Sequence, residues 1–483
     1  MAAMLLTFSS ALLRAESMPA ICGQIIDADT HKPIEGAWVV SEEEATRTNR
    51  EGRFELHQKG IRIGVRAIGY SREQFAAHPE MHVALTRLHV RGLYLSFWGV
   101  GSQLLRTGVL DTVSKAHLNA VVIDIKGDRG FISHPTHSAL GIVAGANRIV
   151  TIRDPVALVA DLHSRGVYAI ARIVVFKDDL VARIRPDLAV KTAQGKLFVD
   201  REGLAWTDPF NRTAWDYNIT LAMEAAKEGF DEVQFDYVRF PDQKGLQFSK
   251  PNTEANRRNA ITSFLAEAQK RLMPYNVFLS ADNFGYICWN LDDTGIGQCF
   301  ADIGPAVDYI SPMLYPSSFQ YGIPGLRNPL NDPYRIVFAS LQRAKQRTGF
   351  SSLAFRPWLQ AFNDYAFDRR KFGKRELAAQ IKAAQDAGTD GGLLWDPRNR
   401  YPTDVLADLA RELRWENANG LVTSSRSKVW KQPPLRDLDH RQIACGRGAE
   451  EEKEGGGQRR ESQHFGNRTE GYQYSCGNDC QNR

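Results

Sequence analysis

The sequence lacks the marks of several common functional classes. Its 61 basic and 56 acidic residues are spread over all 483 positions, leaving a net charge of +5 and no polybasic field to track phosphates, so nucleic acid is not an expected partner. The six cysteines (Cys22, Cys288, Cys299, Cys445, Cys476, Cys480) form no CxxC pair and have no zinc-type histidine spacing. No metal or other cofactor is expected. Only Cys288 and Cys299, close together in one loop region, invite a disulfide guess. No stretch approaches the roughly 18 consecutive apolar residues of a membrane span. No glycine-rich phosphate-binding turn follows a strand, which weighs against a doubly wound nucleotide-binding sheet.

What is present is patterned. Residues 1–19 carry a short apolar run followed by small residues, read here as a degraded signal segment although Arg14 interrupts it and no Lys or Arg precedes it. The expected location is secreted or facing the cell envelope. Residues 20–88 read as short strands and turns: ICGQIIDADT, HKPIEGAWVVSEE, ATRTNREGRFEL and IRIGVRAIGYS. From residue 89 to 416 the pattern changes to short apolar segments alternating with helical ones. Eight strands can be counted: 91–97, 119–126, 167–176, 231–240, 276–284, 307–315, 357–362 and 390–397. Eight βα repeats close into a barrel of about 250 residues or more. The fold class is therefore α/β, a (β/α)8 TIM barrel behind a small all-β sandwich. Residues 417–483 mix charge and glycine with few aliphatics and are expected to be a disordered tail. They include a chance glycosylation sequon, Asn467-Arg468-Thr469. Because the pattern breaks near residue 88, the barrel is expected to fold without the N-terminal module.

In such a barrel the C-terminal strand ends carry the chemistry. They supply Asp124 and Lys126, then Arg172, then Asp236 and Arg239, then Asp282, Tyr315, Gln360, and finally Trp395 and Asp396. Several carboxylates at one height are costly to bury unpaired. With Lys126, Arg172 and Arg239 as counter-charges, they fit an acid and a base split between two acids. Trp98, Trp395 and Tyr315 add faces on which a sugar ring could stack. Each candidate has a structural alternative: Asp236 as the buried partner of Arg172 or Arg239, Lys126 as a salt-bridged lysine, and Asp128 and Asp178 as turn or cap residues.

Two resemblances sharpen this reading. Gly23-x-Ile25, Pro33-Ile34-x-Gly36-Ala37-x-Val39, Thr48, Gly52-x-Phe54 and Ala67-Ile68-Gly69-Tyr70 resemble the carboxypeptidase regulatory-like domain, which implies a non-catalytic accessory module. The run Glu232-Val233-Gln234-Phe235-Asp236-Tyr237-Val238-Arg239-Phe240-Pro241 resembles the strand-four signature of a family of glycoside hydrolase barrels. Asp124-Ile125-Lys126-Gly127-Asp128, Ala171 to Asp178, Trp206-x-Asp208-Pro209 and Ser311-Pro312-Met313-x-Tyr315-Pro316 agree with it over about residues 90–405. The implied function is hydrolysis of a glycosidic bond in a polysaccharide. Asp236 is then the nucleophile or base and Asp282 the acid, with Asp124, Lys126, Arg172, Arg239, Tyr315, Gln360, Trp395 and Asp396 binding substrate. Two alternatives stay open. One is a carbohydrate-binding barrel without turnover. The other, a metal-dependent hydrolase of amides or phosphates, is weakened by the lack of any HxH strand. The sequence leaves the oligomeric state open.

Overall fold

A computed structural model describes residues 20–57 and 61–413. The signal reading of residues 1–19, the tail expectation, the sequon, Cys445, Cys476 and Cys480 all lie outside the described residues.

The N-terminal region forms seven strands: β1 (Ile21–Asp27), β2 (Trp38–Val40), β3 (Ala45–Arg47), β4 (Arg53–Leu56), β5 (Arg62–Arg66), β6 (Glu73–Ala76) and β7 (Glu80–Leu85). They make two sheets, ordered β4-β1-β7 and β3-β2-β5-β6. Strands β4 and β7 alternate exposed and buried residues at the period of two that a half-buried strand requires. The inward set, including Ile25, Val39, Leu56, Ile63, Val65 and Leu85, forms one apolar core between the sheets.

Eight further strands close into a parallel barrel: β8 (Val90–Leu95), β9 (Ala120–Lys126), β10 (Tyr168–Val174), β11 (Glu232–Asp236), β12 (Phe278–Phe284), β13 (Tyr309–Met313), β14 (Trp358–Gln360) and β15 (Gly391–Trp395). Seven of them lie within the segments read from sequence, and β8 begins one residue earlier, at Val90. Strands β9, β10 and β11 are buried at every position because helices cover one face and the barrel interior the other. Closure between β15 and β8 depends on Gly391, which has φ of 81°. A Cβ there would sit 1.9 Å from the Val90 carbonyl oxygen, so no side chain fits. The helices are cut to length by ordinary signals. Asp332 caps Pro333–Thr348 at its start, and Gly349, at φ of 71°, ends it in the left-handed region.

Three differences from the sequence reading have local causes. The fourth barrel strand stops at Asp236 rather than running to residue 240, because Tyr237 turns the chain with φ of 48°. Strands β6 and β7 complete the N-terminal module beyond its last predicted strand. Cys288 and Cys299 are free thiols, as is Cys22. Among the described residues no helix is long and apolar enough to cross a membrane.

The module also forms part of the barrel's lower end. Fully buried Arg66 faces Asp308 at 3.6 Å and donates to Asn276 Oδ1 at 3.3 Å. Arg72 donates to Asp231 Oδ1 and to the Gly229 carbonyl oxygen, both at 3.0 Å. The Gly69 N–H donates to the Tyr309 hydroxyl at 2.9 Å, and Ile68 packs against the apolar cluster of the barrel interior. These contacts weigh against the expectation of an independent barrel, because its buried acids Asp231 and Asp308 find their arginines in the module. A chain beginning at Leu88 is therefore predicted to lose on the order of 3–5 kcal/mol for each broken buried pair. Thermal unfolding should show a lowered or non-cooperative melt, whereas a melt equal to that of the full chain would contradict this.

Candidate active site

At the C-terminal ends of the strands lies a cavity of about 220 Å³, and its lining includes Tyr94, Asp124, Arg172, Asp236, Asp282, Trp358 and Trp395. Each is an alternate, inward-facing strand residue, which is why eight separate strands can aim side chains at one volume. The floor is aromatic. Tyr94 and Trp395 stack at 3.7 Å, and Trp358 stands edge-on to Trp395 at 5.2 Å.

Arg172 occupies the centre. Its Nη1 donates to Asp124 Oδ1 at 2.6 Å and its Nε to Asp236 Oδ2 at 3.1 Å, while Nη2 also donates to Asp236 Oδ2. Asp282 Oδ2 lies farther away, 3.9 Å from Nε. The guanidinium also lies 4.9 Å from the Trp395 ring centroid and 5.5 Å from that of Tyr94. Burial alone would drive the arginine toward neutrality, but the carboxylates of Asp124 and Asp236 raise its pKa well above the ordinary value.

The three acids are not equivalent. Both oxygens of Asp124 are engaged, Oδ1 by Arg172 and Oδ2 by the Tyr94 hydroxyl at 2.5 Å and the Phe97 N–H at 3.2 Å. Burial raises its pKa, and Arg172 and Tyr94 oppose that rise. Asp236 is held on both oxygens, Oδ2 by Arg172 and Oδ1 by the Tyr237 N–H at 2.6 Å. Tyr237 can present that N–H because of its left-handed backbone, a strained conformation of the kind that collects at functional sites. Asp282 accepts one hydrogen bond from the Trp358 indole at 2.7 Å and is 1% exposed.

One positive charge among three carboxyls cannot balance all of them. Like charges about 4 Å apart cost about 4 kcal/mol at an effective dielectric of 20, so the carboxyl least well paired holds its proton most strongly. That group is Asp282. Burial first, and then the neighbouring Asp236 charge, push its pKa well above the usual carboxylate range, with Arg172 only partly opposing them.

Of the other sequence candidates, Arg239, Tyr315 and Trp395 line the cavity, whereas Lys126, Gln360 and Asp396 do not. A break in the β9–β10 register pairs Lys126 with Ile173 instead of the next inward position. The lysine is thereby turned into the outer layer, 2.7 Å from Asp178 Oδ2 and over the Tyr217 ring. Gln360 is spent on Ser317, whose N–H it accepts at 3.0 Å and whose hydroxyl it reaches at 2.8 Å. Asp396 has the opposite strand parity to Trp395 and accepts the Arg398 N–H at 2.9 Å. Asp178 caps a helix by accepting the Val181 N–H, as a turn aspartate would. Sequence reasoning missed Tyr94 and Trp358, although each sits at an inward position of a counted strand. It also missed Glu202 and Asp242 at the rim. Among the described residues no group of three or more His, Cys, Asp or Glu side chains could hold a metal ion.

A model of the family described as "Putative glycosyl hydrolase domain" matches residues 92–401, which contain every cavity residue named above. Among solved structures, the chain is similar to a hypothetical protein from Ruminiclostridium thermocellum at 36% identity, covering 39% of this chain and 96% of that chain with a TM-score of 0.35. It is similar to the PgaB (BpsB) glycoside hydrolase domain from Bordetella bronchiseptica at 13% identity, covering 66% and 98% with a TM-score of 0.49. Similarity to α-L-fucosidase isoenzyme 2 from Paenibacillus thiaminolyticus is 14% identity over 70% of this chain and 51% of that chain, with a TM-score of 0.47. No curated protein matches.

The raised Asp282 pKa has a sign that stability can read. A carboxyl whose folded pKa exceeds its unfolded value of about 3.9 contributes stability below that value and loses it as pH rises through the folded pKa. Asp282→Asn is therefore predicted to flatten the decline in melting temperature as pH rises above about 4. Parallel melting curves for the wild type and the variant across pH would contradict the assignment.

Proposed function

Because the chain belongs to the family described as "Putative glycosyl hydrolase domain", we propose that it hydrolyses a glycosidic bond in a polysaccharide, with Asp282 as general acid and Asp236 as nucleophile. The observation that carries this reading is the placement, in one cavity, of a buried carboxyl whose pKa is pushed up beside a second carboxyl that an arginine pairs. Two acids whose surroundings push their protonation apart are what glycoside cleavage uses. Asp282 would give its proton to the leaving oxygen while Asp236 attacks the anomeric carbon.

The two residues follow the paired positions Phe235 and Ala281 on adjacent strands, which lie about 4.8 Å apart. Their carboxyls also approach the same nitrogen of Arg172. That closeness fits the roughly 5–5.5 Å of a retaining pair better than the roughly 6.5–9.5 Å that leaves room for a water in an inverting one. Arg172 would act as a positioning residue, fixing Asp236 and, through Asp124 and Tyr94, itself. Tyr94, Trp358 and Trp395 would give the sugar ring an apolar floor. The resemblance of the N-terminal module to carboxypeptidase regulatory-like domains belongs to the same proposal, in which a secreted or envelope-facing enzyme carries an accessory module that braces its barrel.

One observation favours a second reading, a barrel that binds carbohydrate without turnover: both Asp236 oxygens are already engaged. The two readings separate in a reducing-end screen of the full chain against cell-envelope and matrix polysaccharides. On a substrate so identified, Asp236→Asn and Asp282→Asn should each lower kcat by at least about a thousandfold, on the order of 4 kcal/mol of barrier. Asp236→Asn should also lower the melting temperature, since it unpairs Arg172. Loss of stability with near-normal turnover would leave Asp236 structural and overturn its catalytic role.

A further inference from the structure

Two groups of aromatic rings border the cavity, and each includes a ring that is largely exposed. On one side, Trp98 follows β8 directly, lines the cavity and is 53% exposed. It stands edge-on to Phe97 at 5.0 Å, and Phe97 is 6.0 Å from Phe131, which lines the cavity from the segment after β9. On the other side, Phe284 ends β12 and lines the cavity, with Tyr286 5.8 Å beyond it and Tyr321, which follows β13, a further 6.3 Å out. Tyr321 is 67% exposed, yet its N–H is fixed to the Tyr286 hydroxyl at 2.9 Å.

The barrel order makes this arrangement informative. In the closed ring, β8 lies opposite β12 and β9 opposite β13. The two aromatic arms therefore leave the carboxylate centre in opposite directions across the barrel mouth. Large aromatic side chains exposed next to a cleft lose contact with water only when something covers them, and an apolar face with a polar edge suits a pyranose ring. A pocket for a terminal sugar needs one such arm and a closed wall opposite. Two opposed arms leave both ends open.

Building on the hydrolase reading above, we propose that the site takes an extended linear glycan across the barrel mouth, with sugar-binding subsites on both sides of Asp236 and Asp282, and that it cleaves within the chain. Trp98 and Tyr321 are the outer stacking positions. Neither belongs to the acid–base machinery, and their removal should weaken the grip on long chains.

The test uses the full chain carrying Asp282→Asn, so that bound glycan persists, and titrates it with β-1,4-linked glucose, N-acetylglucosamine and glucosamine oligomers from disaccharide to octasaccharide. The proposal expects affinity to rise with length. It also expects Trp98→Ala and Tyr321→Ala each to weaken octasaccharide binding about fivefold to tenfold while leaving disaccharide binding within about twofold, as suits the loss of one ring contact. Affinity that stops rising at the disaccharide, octasaccharide binding indifferent to both variants, or no binding of any oligomer overturns the two-arm assignment. Failure of the hydrolase reading shows separately, as wild-type enzyme that binds the oligomers with the predicted length dependence yet releases no reducing ends.

Discussion

A single buried guanidinium decides how the barrel mouth is organised. Arg172 has nowhere to discharge, so the fold surrounds it with Asp124, Asp236 and, at greater distance, Asp282. Desolvating that many charges is repaid only by close geometry and further hydrogen bonds, which Tyr94, Phe97, Tyr237 and Trp358 supply. Burial first, and then the Asp236 charge beside it, raise the pKa of Asp282. Asp282 is also the acid that Arg172 reaches least closely, and the proposed division of labour follows from that arrangement.

The lower end of the barrel uses the same device for a different purpose. Fully buried Arg356 pairs with Glu232 at 2.5 Å and Asp390 at 2.9 Å, and its guanidinium lies 3.7 Å from the Tyr309 ring centroid. Tyr309 in turn accepts a hydrogen bond from Gly69 of the N-terminal module. Both carboxylates of that network are paired with the one guanidinium. In this fold the upper end hosts reactions and the lower end holds the sheet together, and here each end is built around its own arginine.

Much of this was legible in the residues. The eight strands stood out because helices cover one side and the barrel interior the other, so apolar runs of three to seven residues recur between helical segments. Asp124, Arg172, Asp236 and Asp282 could be named from their position at the ends of those runs. Side-chain direction could not be read where alternation breaks. The register shift beside Arg172 takes Lys126 out of the cavity, and the left-handed turn at Tyr237 ends the strand and supplies a donor to Asp236. Both are backbone events with no residue-type signature. The dependence of the barrel on its module was also hidden, because Arg66 pairs with Asp308 and Arg72 with Asp231, contacts far apart in sequence. The change of pattern near residue 88 marks a change of architecture, and the ion pairs across it join the two parts.

The central claim is that burial and the neighbouring acid make Asp282 hold its proton well above the usual carboxylate range. Infrared difference spectroscopy of the full chain against Asp282→Asn at neutral pH measures it directly. The account predicts a carbonyl stretch of a protonated carboxyl in the wild type that is lost in Asp282→Asn. A wild-type spectrum with only carboxylate bands, or a protonated band that survives in Asp282→Asn, would contradict it.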